Sequence, residues 1–150
     1  MNSSPLLSFE FFPPKTDQGK VNLATTRKEL GKFSPEFFSV TYGAGGSTRS
    51  TTLDQVKAIL ADGYDVAPHI SFGGSSEDEV LTLLNDYKAM GVKNLVALRG
   101  DLPSGMGGAG QLVHANQLVA FIRAKTGNHF NINVAASPEI HPESESYSRD

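Results

Sequence analysis

The chain has 150 residues, enough for one domain with a substantial core, and its 39% hydrophobic and 19% charged fractions are those of an ordinary globular protein. A net charge of −3 gives no field that would draw nucleic acid or an anionic membrane surface. With no cysteine, disulfides, thiolate catalysis and Cys-ligated zinc or iron–sulfur sites are excluded within these residues.

Met1–Pro5 has no basic region leading into an apolar stretch, and no apolar run approaches the ~20 residues of a membrane span. No export signal or membrane anchor is expected, and the cytoplasm is the expected compartment. Leu6–Phe12 is the first of five strand-like runs. Phe9 and Phe11 fall on one face, Ser8 and Glu10 on the other, because side chains alternate across a strand. Glu10 is set among aromatic residues, and burial there would favour the neutral form that a general acid needs. The plain alternative is a strand-end glutamate at the solvent edge. Asp17 to Lys32 follows as a helix with a thin apolar stripe of Val21, Ala24 and Leu30.

The second run, Glu36–Tyr42, sets Phe38 and Val40 against Ser39 and Thr41. Gly43 to Thr48 is a glycine-rich loop leading into a helix. Such loops can offer backbone N–H groups to phosphate, although this one lacks both the G-x-G-x-x-G spacing and the lysine of a P-loop. Leu53, Val56, Ile59 and Leu60 stripe the second helix, with Ser47 or Thr48 as its cap. In the third run, Asp65–Phe72, Val66 and Ile70 oppose Ala67, His69 and Ser71. A lone histidine such as His69 is more often a hydrogen-bonded filler than a ligand. Ser76 with Glu79 forms a capping box ahead of a stripe of Val80, Leu83, Leu84 and Tyr87.

The fourth run is Lys93–Arg99. Val96 and Leu98 are assigned to its oily face, and Arg99, with Asp101 beyond it, to the other. Gly100 between a cation and a carboxylate lets backbone approach a planar ligand; a turn with a local ion pair fits equally. Ser104–Gly110 reads as a glycine-rich surface loop. Ala115, Leu118, Val119 and Ile122 mark the fourth helix. The last run, Phe130–Ser137, carries Ile132 and Val134 opposite Asn131, Asn133 and Ala135, and leads through Ser137 and Glu139 into a polar loop, Pro138–Asp150, that holds His141. Gly31, Gly63, Gly91 and Gly127 each follow a helix, where a left-handed residue is expected.

Strand, polar loop, helix and glycine, repeated, argue for a parallel sheet with right-handed crossovers. One oily and one small or polar face suits an α/β (β/α)8 TIM barrel, whose outside meets helices and whose inside narrows to a site. A whole barrel takes ~250 residues, so residues 1–150 are expected to be the truncated N-terminal portion of a single barrel domain, with roughly its first five strands and four helices. An open doubly wound sheet of five strands is the alternative. In either fold the reactive groups gather at the carboxyl ends of the strands. Glu10, His69, Asp101 and His141 could ligate a metal in a barrel hydrolase or lyase, though no His-x-His or His-x-x-x-His pair occurs. A fragment or binding module without turnover is the third reading.

Five segments, in order, resemble the methylenetetrahydrofolate reductase family: Phe9-Glu10-Phe11-Phe12-Pro13-Pro14, Ser39 to Ala44, Ala67-Pro68-His69, Val96 to Pro103, and Pro138 to Glu143. The resemblance implies a (β/α)8 barrel holding FAD, with no metal. It implies that NAD(P)H, as co-substrate, reduces the flavin and leaves, after which methylenetetrahydrofolate takes hydride at its one-carbon bridge to give 5-methyltetrahydrofolate. Glu10 then matches the general acid and Asp101 the catalytic carboxylate near flavin and pterin, with Thr41 beside them at the substrate. Thr41, Tyr42, Gly43, Ala44, His69, Arg99, Gly100 and Asp101 match segments that cradle FAD, and His114, His141 and Asp150 are further flavin contacts by the same resemblance. Ser137 departs from it, standing where relatives carry tyrosine before Pro-Glu. Family members often form homo-oligomers, and no nucleic acid or membrane partner is implied.

Overall fold

The computed structural model describes residues 6–42, 49–72, 75–99 and 114–136. They form β1 (Ser8–Phe11), α1 (Asp17–Gly31), β2 (Phe37–Val40), α2 (Arg49–Ala61), β3 (Val66–Ile70), α3 (Glu77–Ala89), β4 (Asn94–Ala97), α4 (Ala115–Thr126) and β5 (Asn131–Val134). The five strands make one parallel sheet in the order β1-β2-β3-β4-β5. A doubly wound sheet reverses its strand order at a switch point; this sheet runs straight through, as a barrel wall does. β3 gives Val66–Pro68 to β2 and His69–Ile70 to β4, the stagger by which parallel strands tilt and curl into a barrel. The described residues therefore hold five strands and four helices of a (β/α)8 barrel. None of the described helices is long and apolar enough to cross a membrane.

The core lies between the sheet and its helices. Phe38, Val40, Val66, Ile70, Leu95 and Ala97 from the strands meet Val56 and Ile59 of α2, Val80, Leu83, Leu84 and Tyr87 of α3, and Leu118, Phe121 and Ile122 of α4, all buried. The stripe expected of α3 is thus wholly inside. Its capping box forms as expected: the Ser76 N–H donates to Glu79 Oε2 at 2.8 Å and the Glu79 N–H to Ser76 Oγ at 3.3 Å. The cap expected of Ser47 or Thr48 lies outside the described residues.

Three expectations are corrected. In β4 the core face is Leu95 and Ala97, not Val96 and Leu98, because the register sets Val96 beside His69 and Ala97 beside Ile70. Leu95 to Leu98 are all apolar, so alternation carried no information there, and the strand ends at Ala97, short of Arg99. In α1, Val21 is 60% exposed; Leu30 packs on the core as expected, and Leu23 and the buried Arg27, which were not in the expected stripe, are the other inward residues. Gly63, Gly91 and Gly127 have positive φ, but Gly31 does not, and Ser34 takes the left-handed conformation after α1. Gly31 serves close packing: any Cβ there would collide with the Tyr64 hydroxyl, whose ring meets Phe38 edge-on at 5.1 Å.

Candidate functional site

Away from the helices the sheet forms a trough. Along its bottom, Ser39, Thr41, Ala67 and His69 are buried, while Glu10, Asn131 and Asn133 on the two flanking strands are exposed. At the carboxyl end of the trough is a cavity of about 460 Å³, within the usual range for a small-molecule site, lined by Glu10, Phe12, Thr41, Tyr42, His69, Val96, Leu98, Val134 and Ala135. Four of these were expected at the site: Glu10, Thr41, Tyr42 and His69. Phe12, Val96, Leu98, Val134 and Ala135 were not; Val96, Leu98 and Val134 were assigned to the core, because an apolar side chain in a strand reads as core until its register is known. Val134, assigned to the oily face, is 54% exposed and belongs to the cavity rim.

Polar groups at the cavity are not all satisfied. Thr41 Oγ1 is buried without a hydrogen-bond partner. His69 Nε2 lies 3.3 Å from Glu10 Oε2, close enough to feel the carboxylate but not aligned as a hydrogen bond, so this buried nitrogen is also unpartnered. Burial holds the His69 pKa below its ordinary 6.5, and the Glu10 charge opposes that only in part. The imidazole is therefore neutral near pH 7, able to donate from one nitrogen and accept at the other. Of the two readings of Glu10, the strand-edge one fits: its side chain is 53% exposed, because it stands on β1, at the open flank of the trough.

The main chain beneath these groups is pinned by α2. Thr52 Oγ1 donates to Thr41 O at 3.1 Å, and the Thr41 N–H donates to Phe11 O at 3.0 Å. Sequence reasoning missed Thr52, a β-branched polar residue on a helix with no periodic signal to mark it. His114 is the exposed residue before α4, where its N–H donates to Gln117 Oε1 at 3.0 Å; it does not line the cavity. Arg99 is exposed beyond the end of β4. Gly43, Ala44, Gly100, Asp101, Ser137, His141 and Asp150 lie outside the described residues. Of the four groups weighed as metal ligands only Glu10 and His69 are described, and among the described residues no three His, Asp or Glu side chains converge.

Buried atoms without partners in a roomy cavity at the carboxyl rim make this a (β/α)-barrel protein with a candidate small-molecule site. The family model for methylenetetrahydrofolate reductase matches residues 1–150. The 5,10-methylenetetrahydrofolate reductase of Escherichia coli (strain K12) is 39% identical over 145 residues, which cover 96% of this chain and 48% of that protein. That of Buchnera aphidicola subsp. Schizaphis graminum is 36% identical over 151 residues, covering 100% and 50%. A probable methylenetetrahydrofolate reductase (NADH) of Oryza sativa subsp. japonica is 36% identical over 145 residues, covering 92% and 24%. The chain belongs to the methylenetetrahydrofolate reductase family. It spans about half the length of the bacterial relatives it matches.

Proposed function

We propose that this chain carries part of the site at which 5,10-methylenetetrahydrofolate is reduced to 5-methyltetrahydrofolate by NAD(P)H with FAD as bound cofactor, residues 1–150 being the N-terminal part of a single barrel domain. The observation that carries the reading is the pair of buried unpartnered atoms, Thr41 Oγ1 and His69 Nε2, beside the Glu10 carboxyl in one cavity, within a chain that matches the family along its whole length. The polar and apolar lining fits an isoalloxazine. A flat ring with polar edges would use the hydroxyl and imidazole, with Tyr42, Val96 and Leu98 against its faces and rim. Gly43, Ala44, Arg99, Gly100, Asp101, His114, His141 and Asp150 complete the set proposed to hold FAD.

When bound, FAD supplies the two-electron hydride chemistry that amino-acid side chains lack. The chain's own groups bind, orient and protonate. Glu10 is proposed to deliver the proton that opens the methylene bridge of the folate, Asp101 to hold the pterin and tune the cofactor, and Thr41 to contact substrate. Neutral His69 next to Glu10 leaves that carboxyl free of a fixed ion pair. A cytoplasmic location and assembly as a homo-oligomer belong to the same reading.

An absorbance spectrum of the purified protein, followed by titration with FAD, tests the proposal. Visible flavin bands, or saturable FAD binding that Thr41→Val weakens, are expected. A colourless protein that ignores FAD and holds stoichiometric metal would replace this reading with the metal-dependent one.

A further inference from the structure

The first turn of α2 reaches two residues of the cavity without lining it. Arg49, the first residue of α2, donates from Nη2 to Ser75 Oγ at 2.8 Å and from Nε to Tyr42 Oη at 3.4 Å, both part-buried. Tyr42 lines the cavity beyond the carboxyl end of β2, and Ser75 stands just ahead of α3. Three residues further on, still in the first turn, Thr52 holds the carbonyl of Thr41. Two consecutive cavity residues are thus held from the same helical turn, Thr41 through its main chain and Tyr42 through its hydroxyl.

We propose that Arg49 is a positioning residue of the cofactor site: its guanidinium fixes the Tyr42 ring at the cavity wall by tying it to the chain that enters α3. The inference rests on the flavin reading above. A planar guanidinium presents several N–H groups in a rigid fork, so one side chain can bridge two acceptors on separate loops. A lysine ammonium is a point charge on a flexible stem and cannot hold both in the same geometry. A ring already held in place loses less freedom when a ligand packs on it, so pre-ordering strengthens binding without any new contact.

The test is FAD titration of the full chain as wild type, Arg49→Met, Arg49→Lys, Tyr42→Phe and the Arg49→Met/Tyr42→Phe double variant, with circular dichroism to verify folding. Arg49→Met should raise the FAD Kd about 5- to 10-fold, the effect of roughly one ordered side chain. Arg49→Lys should do the same although it keeps the charge. Adding Arg49→Met to Tyr42→Phe should cost less than about 2-fold more, because the two act as one unit. Unchanged affinity in Arg49→Met, or additive losses in the double variant, would overturn the proposal. So would wild-type affinity in Arg49→Lys with binding that weakens as salt rises, which would make Arg49 a direct charge contact. Should Arg49→Met fail to fold, Tyr42→Phe with Ser75→Ala removes both acceptors and leaves the arginine; it must reproduce the loss. Wild type that does not bind FAD rejects the flavin reading alone. Hydrogen exchange then decides on Arg49, whose loss must quicken the Thr41 and Ser75 amides; unaltered exchange rejects the positioning role.

Discussion

Glu10 Oε2 lies 3.3 Å from His69 Nε2, although β2 runs between their strands. Neighbouring strands are about 4.8 Å apart, so the two backbones are separated by roughly twice that. The register puts Ser39 beside Glu10 and Ala67 beside Ser39, and these small side chains let the glutamate lean across the trough. His69 lies one pleat nearer the carboxyl end, level with Thr41. The contact therefore depends on small residues beneath it as much as on the pair itself.

Glu10→Gln keeps this shape and removes the ionisable proton. Reduction of flavin by NAD(P)H should change by less than about 3-fold, whereas reduction of methylenetetrahydrofolate should fall at least ~100-fold, the low end of what a positioned general acid contributes. Stopped-flow absorbance separates the two half-reactions. Equal losses in both would remove Glu10 from the acid role.

His69 makes the fold sensitive to mild acid. Its native pKa is lowered from 6.5, chiefly by burial and against the pull of Glu10, so the native state holds fewer protons than the unfolded chain. Stability therefore falls as pH drops below about 6.5 and levels off beneath the lowered native value. Glu79 acts in a separate window. The Ser76 N–H bonded to it holds its carboxyl below 4.5, so its contribution is present above 4.5 and is lost as pH falls through the native value. His69→Asn should flatten the upper slope and leave the lower one. Urea midpoints from about pH 7.5 down to about pH 2.5 measure both; parallel curves for wild type and variant would reject the assignment.

The strand–helix alternation, the parallel sheet and the α3 stripe were legible because each rests on local period or capping chemistry, as in Ser76 and Glu79. The face of β4 was not, since four successive apolar residues satisfy either register, and only the pairing of Val96 with His69 resolves it. The exposure of Glu10 could not be decided from local pattern: alternation puts it opposite Phe9 and Phe11, but whether that face is covered depends on what packs across the trough. Of the site, Thr41 and His69 stood out by residue type at strand ends, and Tyr42 only through the family resemblance. Arg49 and Thr52 act through bonds that join residues 7 to 26 positions apart, for which the sequence has no periodic sign.

The unpartnered Thr41 hydroxyl separates binding from stability. A buried hydroxyl without a partner costs about 1–3 kcal/mol, so Thr41→Val, similar in shape, should raise the stability of the ligand-free chain by about 1 kcal/mol. The same change should weaken FAD binding about 5- to 10-fold if the hydroxyl is kept for the cofactor. Urea unfolding and FAD titration give the two numbers. Loss of stability together with unaltered FAD affinity would show that the hydroxyl serves the fold.

Arg27 and Asp62 make the opposite kind of pair, a structural one. The guanidinium on α1 is only 4% exposed and donates from Nε to Asp62 Oδ2 at 2.8 Å, just past the end of α2, where the carboxylate is 31% exposed. Removing either partner leaves a charge behind, but not the same charge. Without Arg27, the carboxylate still reaches water; without Asp62, a guanidinium stays buried and uncompensated. Asp62→Asn should therefore destabilise by about 3 kcal/mol, near what breaking a buried pair costs. Arg27→Met, which fills much of the same volume with apolar atoms, should cost about 1 kcal/mol or less. Urea unfolding with unchanged slope reads both. If Arg27→Met proved the more damaging, the guanidinium would be doing more than answering Asp62, and the docking of α1 would rest on its charge rather than on Leu23 and Leu30.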